Sequence, residues 1–392
     1  MLRSFVSFPA VPQAEKPGKE KQKMNRIAFI LGDRFLYWNS IFLTLGAVCS
    51  ICMFLALALR KREDIKAAVI AVPVAFACSL LISRLFHWYC RPLVYTGFSA
   101  AMTDYSRGGY ALIGVFAGCL LTALLLYFLK ICRNLPRFLD YMAVSGALGI
   151  AAGRLGALFT DADRGMVLPG YVPFPFACPL YNSVSGENEQ RLAVFMLQSI
   201  IAFVLFLFLL ISYLQGKKRH TLKDGDTCLT FLLWYCASQA VLDSPRYDSL
   251  YFRFNGFVSV VQIFSMVTVV TVLVIFAVRL RKSGRWSKYW LIAAPLPFLG
   301  LAGYMEYYVQ RHGARALFAY SIMSISMLAA VLLILFIRRN AVPVRRFSDT
   351  GKPESFAPAE NLSFDLTPED EEISWEWKLE EDPRLNPWKK RK

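Results

Sequence analysis

The sequence is short of charge. Only 18% of its 392 residues are Asp, Glu, Lys or Arg, against 56% hydrophobic residues and a mean hydropathy of +0.41. A soluble globular domain of this length needs more polar surface than that, so the composition excludes one and points to a chain solvated by lipid. Other features are scarce as well. The apolar run at the amino terminus is too short for a secretory signal peptide. No convincing inverted repeat with paired interrupted helices is present, which counts against a small-molecule transporter. Cys49 and Cys52 have the spacing of a redox or metal pair but no charged or imidazole neighbour, so the sequence calls for neither a metal nor a cofactor.

What is abundant is apolar length. A transmembrane helix needs about 20 mainly apolar residues, because its backbone must satisfy its own hydrogen bonds across roughly 30 Å of hydrocarbon. Nine segments qualify, at 37–59, 67–89, 109–129, 141–158, 192–214, 227–242, 256–278, 290–309 and 316–337. They predict an all-α, polytopic transmembrane helix bundle. The Gly-rich fourth and the short sixth are the two expected to be buried in the bundle, broken or miscounted.

The basic residues set the orientation. Arg60, Lys61, Arg62 and Lys66 follow the first segment, Lys130, Arg133 and Arg137 the third, and Lys217, Lys218, Arg219 and Lys223 the fifth. Arg279, Arg281, Lys282, Arg285 and Lys288 follow the seventh, and Arg338, Arg339, Arg345 and Arg346 the ninth. Every second connection is basic, which predicts an outside amino terminus and a cytoplasmic carboxyl terminus. The basic stretch 1–34 runs against this pattern, and translation from Met24 would remove most of its charge. The net charge of +16 lies mainly beside membrane segments, where its natural partner is an anionic phospholipid headgroup and not nucleic acid. The chain divides into a tail at 1–32, a membrane core at 33–280, an additional hairpin at 281–340 and a polar cytoplasmic tail at 341–392. That last tail carries Trp375, Trp377 and Trp388 between acidic and basic runs and reads as disordered.

Polar groups inside the apolar segments mark the candidate site. An arginine at the centre of a bilayer costs about 3 kcal/mol on insertion scales, so an embedded one calls for a reason. Arg84 sits near the end of the second segment, where it is either a snorkelling residue or a lipid-headgroup ligand. Arg154 lies between Gly153 and Gly156, which permit close backbone approach, and its planar guanidinium can fork two hydrogen bonds onto a phosphate. Tyr235, Gln239 and Asp243 recur every four residues and form one polar stripe on a helix, leading to Pro245 and Arg246. Gln262 and Ser265 add polar groups on the seventh segment. His87 is the one histidine expected in the membrane part near the outer face. The long connection 160–191 opens with Asp161, Asp163 and Arg164 and interleaves Tyr171, Phe174, Phe176 and Tyr181 with prolines. It is expected to be a semi-rigid lid or an interfacial loop with an apolar underside, and Cys178 within it is expected to be exposed to the outside or to the lipid interface.

The stretch from Gly149 to Gly156 with the loop that follows, the preceding Gly108, Gly109, Tyr110, Ala111, Leu112, Ile113 and Gly114, and the stripe from Tyr235 to Arg246 resemble the bacterial prolipoprotein diacylglyceryl transferases. The similarity covers about 33–279. It implies a seven-helix core with two extra carboxyl-terminal helices, placed in the bacterial inner membrane. The implied activity moves a diacylglyceryl group from phosphatidylglycerol to the lipobox cysteine of exported prolipoproteins, presented with their signal peptide, and releases glycerol phosphate. The family's signature glycine and arginine map onto Gly153 and Arg154, with Leu155 and Gly156 next; its distal arginine maps onto Arg246 and the acidic residue before it onto Asp243.

Several positions depart from the pattern. Ile113 stands where the family has histidine, Ala157 replaces the signature asparagine, Ala162 the acidic residue beyond it, with Asp161 and Asp163 as neighbours, and Gln239 an arginine. On the transferase reading, Arg154 and Arg246 hold the lipid phosphate, Asp243 orients a guanidinium, and His87 stands in as the base for a thiol whose reference pKa is about 8.5. The readings kept beside it are a noncatalytic lipid-binding homologue or envelope-machine partner, and a transporter.

Overall fold

The computed structural model describes residues 27–31, 34–60, 62–104, 109–182, 186–218, 223–253, 256–283, 289–312 and 315–341. The tail tryptophans, Met24, Gly108 and the basic residues Arg219, Arg285 and Lys288 lie outside the described residues.

Among the described residues, nine helices of 17 residues or more follow the nine apolar segments. They are α1 (Trp38–Ala58), α2 (Arg62–Cys90), α4 (Leu112–Phe128), α5 (Leu135–Arg154), α6 (Val194–Lys218), α7 (Asp226–Leu242), α8 (Val260–Lys282), α10 (Leu296–His312) and α11 (Ala316–Ala341). Short helices α3 (Phe98–Thr103) and α9 (Trp290–Ala293) complete the set. Six of the long helices, counting α5 with its 3-10 extension Leu155–Phe159, are long and apolar enough to cross a bilayer. The protein is a multi-pass, all-α membrane bundle.

The fourth and sixth segments, α5 and α7, are buried among neighbouring helices as expected, and neither is broken. The fourth segment is a full-length helix, because Asn134 caps it by accepting from Arg137 N and so starts it well before Tyr141. The eighth segment is the broken one. Its chain turns at Ala294 and Pro295 between α9 and α10, since proline has no amide hydrogen to give the helix.

Helices pair through small residues. α1 packs on α5, α2 on α4, α5 on α6 and α7, and α7 on α8, while α11 lies on α7 and α8 and carries α10. A Cβ on Gly46 would come within 2.6 Å of the Gly149 carbonyl, and one on Gly114 within 2.3 Å of Ser83 Cα, so each backbone touches its neighbour directly. Gly156 likewise abuts Asn39 of α1. The close approach expected of Gly153 and Gly156 to lipid is therefore made to another helix.

The helices alternate in direction. At one end Arg137, opening α5, pairs with Asp224 just before α7 at 3.2 Å, and Asp226 of α7 pairs with Arg279 and Arg338 from the ends of α8 and α11. The opposite end gathers the end of α5, the end of α7 and the start of α8.

Two small hairpins lie outside the helices. β1 (Ile27–Leu31) and β2 (Arg34–Tyr37) pair antiparallel ahead of α1, where the sequence reading has only a tail. β3 (Ala177–Asn182) and β4 (Glu187–Leu192) pair within the long connection. The lid expectation needs correction in two respects. Tyr171, Phe174, Phe176 and Tyr181 are exposed and do not form an underside, and Cys178 is buried against Ala157, Ala193 and Phe195. Within β3, alternation turns Cys178 inward and Tyr181 outward, and with the exposed rings that precede the strand this distribution suits contact with an interface.

Candidate functional site

Helix α5 ends at Arg154, and the 3-10 turn after it reverses the chain so that Asp163 comes back over the helix end. Asp163 holds a left-handed backbone, φ 55°, and its amide donates to Asp248 Oδ2 at 3.0 Å, which fixes its side chain inward. On the other side, α7 ends at Asp243 and the chain turns through Pro245 and Arg246 before α8 begins. Ser259 caps α8 in a reciprocal capping box with Gln262, and its hydroxyl also donates to Asp243. Gln262 Nε2 donates to the Ala240 carbonyl at 3.2 Å, so both of its side-chain polar atoms are spent on structure.

Two arginines meet across this junction. Arg154 Nη1 lies 2.5 Å from Asp163 Oδ2, and Arg246 Nη2 pairs with Asp163 Oδ1, so one carboxylate bridges both guanidiniums. Arg246 also binds Asp243 Oδ1 at 2.9 Å and Asp248 Oδ1 at 3.0 Å. Arg91 from the end of α2 donates to the Asp248 and Ser249 carbonyls at 2.7 and 3.3 Å and ties a third element to the cluster. Arg164 is buried over the Phe195 ring, with one nitrogen bonded to the Leu158 and Thr160 carbonyls and two others without a partner. Burial alone would push the Asp163 carboxyl up, but Arg154 and Arg246 outweigh it and hold the group below the usual carboxylate range. The same three carboxylates keep Arg246 firmly protonated despite its burial.

Behind the ion pairs sits a polar layer that is not fully satisfied. Gln198 of α6 donates to Gln239 Oε1 at 2.8 Å, leaving Gln198 Oε1 and Gln239 Nε2 buried and unpartnered. The Tyr235 hydroxyl lies within electrostatic reach of Arg154 but makes no hydrogen bond of good geometry. Buried polar groups are nearly always paired, so three loose atoms in one layer single this place out within the described residues.

The structure distributes the residues singled out from sequence. Arg154, Arg246, Asp243, Tyr235 and Gln239 come together. Arg84 does not join them: its guanidinium donates to the carbonyls of Ala101 at 2.6 Å, Gly109 at 3.1 Å and Asp104, and it faces the Tyr95 and Tyr110 rings. It is fully buried and clamps the connection between α2 and α4, in place of the headgroup contact or snorkelling expected of it. His87, on the same helix, has Nδ1 2.9 Å from the Tyr95 hydroxyl and packs against Gly109, the connection that leads to Ile113. Asp163, Asp248, Gln198, Ser259 and Arg91 have site positions that sequence reasoning did not assign. Asp163 stands next to the Ala162 of the family's acidic position and physically supplies the carboxylate there.

Residues 26–278 match the family model of prolipoprotein diacylglyceryl transferase. A phosphatidylglycerol--prolipoprotein diacylglyceryl transferase of Bacillus velezensis is 24% identical over 274 residues, 68% of this chain and 96% of its own length. Transferases of the same name from Streptococcus sanguinis and Limosilactobacillus reuteri are 25% identical over 253 residues and 24% over 280, covering 61% and 68% of this chain and 91% and 95% of theirs. The match takes in α1 to α8 up to residue 278 and stops before α9, α10 and α11. The chain belongs to the prolipoprotein diacylglyceryl transferase family.

Proposed function

We propose that the protein transfers the diacylglyceryl group of phosphatidylglycerol to the lipobox cysteine of prolipoproteins at the outer face of a bacterial inner membrane, with its amino terminus outside. The observation that carries this reading is the pair of guanidiniums, Arg154 and Arg246, converging on one carboxylate from two different helix ends. A lipid phosphate has the charge and the bidentate geometry to replace that carboxylate. The alternating basic connections support the orientation.

In the reaction the cysteine sulfur attacks the glyceryl carbon that bears the phosphate ester. The carbon–oxygen bond breaks, a thioether forms, and glycerol phosphate departs with the bonding electrons. Negative charge grows on the leaving phosphate, and Arg154 and Arg246 stabilise it in a site shielded from water, where such pairing is worth far more than in bulk solvent. The Tyr235 hydroxyl and the Gln239 amide supply further donors on the same face. The thiol proton needs an acceptor. His87 offers an imidazole whose Nδ1 already engages Tyr95. Asp163 offers a carboxylate that loses its two guanidiniums when phosphate takes them; buried with only the Arg164 charge still near it, its proton affinity rises at the moment the lipid is bound. Asp163 is the base favoured by this arrangement.

The test uses the full chain in nanodiscs with labelled phosphatidylglycerol and a lipobox peptide, reading thioether product and lipid binding separately. Wild type forms the thioether. Asp163→Asn keeps the shape but removes the negative charge that bridges the two arginines, so phosphatidylglycerol binds more tightly while transfer falls at least tenfold; His87→Ala leaves transfer within a few-fold. Binding without product in the wild type leaves a noncatalytic lipid-binding homologue, and collapse in His87→Ala alone makes that imidazole the base.

A further inference from the structure

The two helices beyond the family match enclose a second feature. Between α8 and α10 lies a cleft of about 340 Å³, within the size range of small-molecule sites. Ala240, Met323 and Met327, all buried, form its inner wall, and the exposed Val267 and Gly303 stand at its rim, so it opens toward the lipid-facing side of the bundle. Its walls are apolar, and the methionines can adapt to a flexible chain.

One polar function in that wall is unspent. Gln262 lines the cleft, but its amide serves the α8 cap and the Ala240 carbonyl. Glu306 is different. It is 8% exposed, its Oε1 accepts from Gln310 Nε2 at 3.0 Å, and its Oε2 is buried without a partner. Among the described residues no cation lies within ion-pair distance of it. A carboxylate in hydrocarbon surroundings needs a donor or a positive charge to offset its lost hydration. An alcohol would supply a hydrogen bond but leave the charge uncompensated, and a phosphate or fatty acid would be repelled. An ammonium group satisfies both requirements.

We propose that this cleft is a binding site for a lipophilic amine, with its alkyl chain along Met323 and Met327 and its protonated amino head bonded to Glu306. The site is separate from the arginine cluster; its α7 and α8 walls lie within the family match, whereas Glu306, Met323 and Met327 come from the helices beyond it.

The experiment is equilibrium dialysis of isotope-labelled dodecylamine, dodecanol and dodecanoate against the full chain in phosphatidylcholine nanodiscs, with empty nanodiscs subtracted. Dodecylamine, charged at neutral pH like a lysine, is expected to bind saturably, one per chain and at least tenfold more tightly than dodecanol, with dodecanoate weakest. Glu306→Gln should bring the amine down to the alcohol. Gly303→Phe provides a second variant, because a Cβ at Gly303 meets only open space and its ring would enter the cleft without disturbing the helices; it should remove saturable binding of both. Equal binding of amine and alcohol by the wild type, or an amine preference that survives Glu306→Gln, would overturn the proposal and leave a cleft filled indiscriminately by acyl chains. Either result leaves the transfer reading standing, since phosphatidylglycerol and prolipoprotein are absent from the assay.

Discussion

Charge is buried at both ends of this bundle, and the two ends are built differently. At the end where α5 and α7 start, each acid takes its donors from helices. Asp226 accepts from Arg279 and Arg338, and Asp140 accepts the amides of Gly225 and Cys228 at 2.8 Å each. Thr227 is the one hydroxyl there without a partner among the described residues. At the other end the charges come from turns after α5 and α7, three carboxylates crowd Arg246, and Tyr235, Gln198 and Gln239 leave polar atoms loose beneath them. A closed set of pairs holds helices together. A set with spare donors and a replaceable counter-ion can hold a substrate.

The largest effect expected from this contrast is on catalysis. Arg154→Lys or Arg246→Lys keeps the charge but loses the planar fork, and removing such stabilisation costs about 100- to 1000-fold in rate. Arg279→Lys at the opposite end should leave transfer per folded molecule unchanged. Mass spectrometry of the thioether product against folded protein measures both, and equal losses at the two ends would erase the distinction.

Stability should show the reverse order. Asp226→Ala strands Arg279 and Arg338 beside a buried gap, and breaking a buried pair in this way costs about 3–5 kcal/mol. Asp163→Ala should cost less, because it strands only Arg154, while Arg246 keeps Asp243 and Asp248. Thermal midpoints in one detergent compare them, and a larger drop for Asp163→Ala would make the site end the structural one.

The smallest effect is with pH. Asp163 is depressed in the folded protein, so its contribution is present above the unfolded value of about 3.9 and is lost as pH falls through the lower folded value. The midpoint difference between wild type and Asp163→Asn should stay constant from pH 7 to 5 and shrink only below about 4. A difference that shrinks already between pH 7 and 5 would show that the arginines do not hold this carboxylate.

The helices were legible because hydrophobic length is local. A run of 20 apolar residues must satisfy its own backbone wherever it lies. Arg154 and Arg246 stood out for a related reason, since each was costly in lipid on its own account. Asp163 was visible only as one of the acids that open the long connection, and Asp248 did not stand out. They are short acids in loops, an ordinary place for an acid, and their roles depend on meeting across 85 positions of chain. Arg84 misled the reading because an embedded arginine is equally costly whether it awaits a headgroup or clamps three carbonyls. The break in the eighth segment had a local signal in Pro295 that hydrophobicity masked.

By itself the sequence determined that the protein is a helical membrane bundle, where its spans fall, and that arginines near two helix ends needed partners. These follow from the cost of putting backbone and charge into hydrocarbon, which every residue meets alone. Only the tertiary structure decided which partners those are. Close packing of α5 on α7 brings two turns together, sets Asp163 between Arg154 and Arg246 and leaves the Tyr235 hydroxyl loose, while α7, α8, α10 and α11 together form the cleft at Glu306. Pairing and burial are properties of neighbours in space, and helix packing alone selects those neighbours.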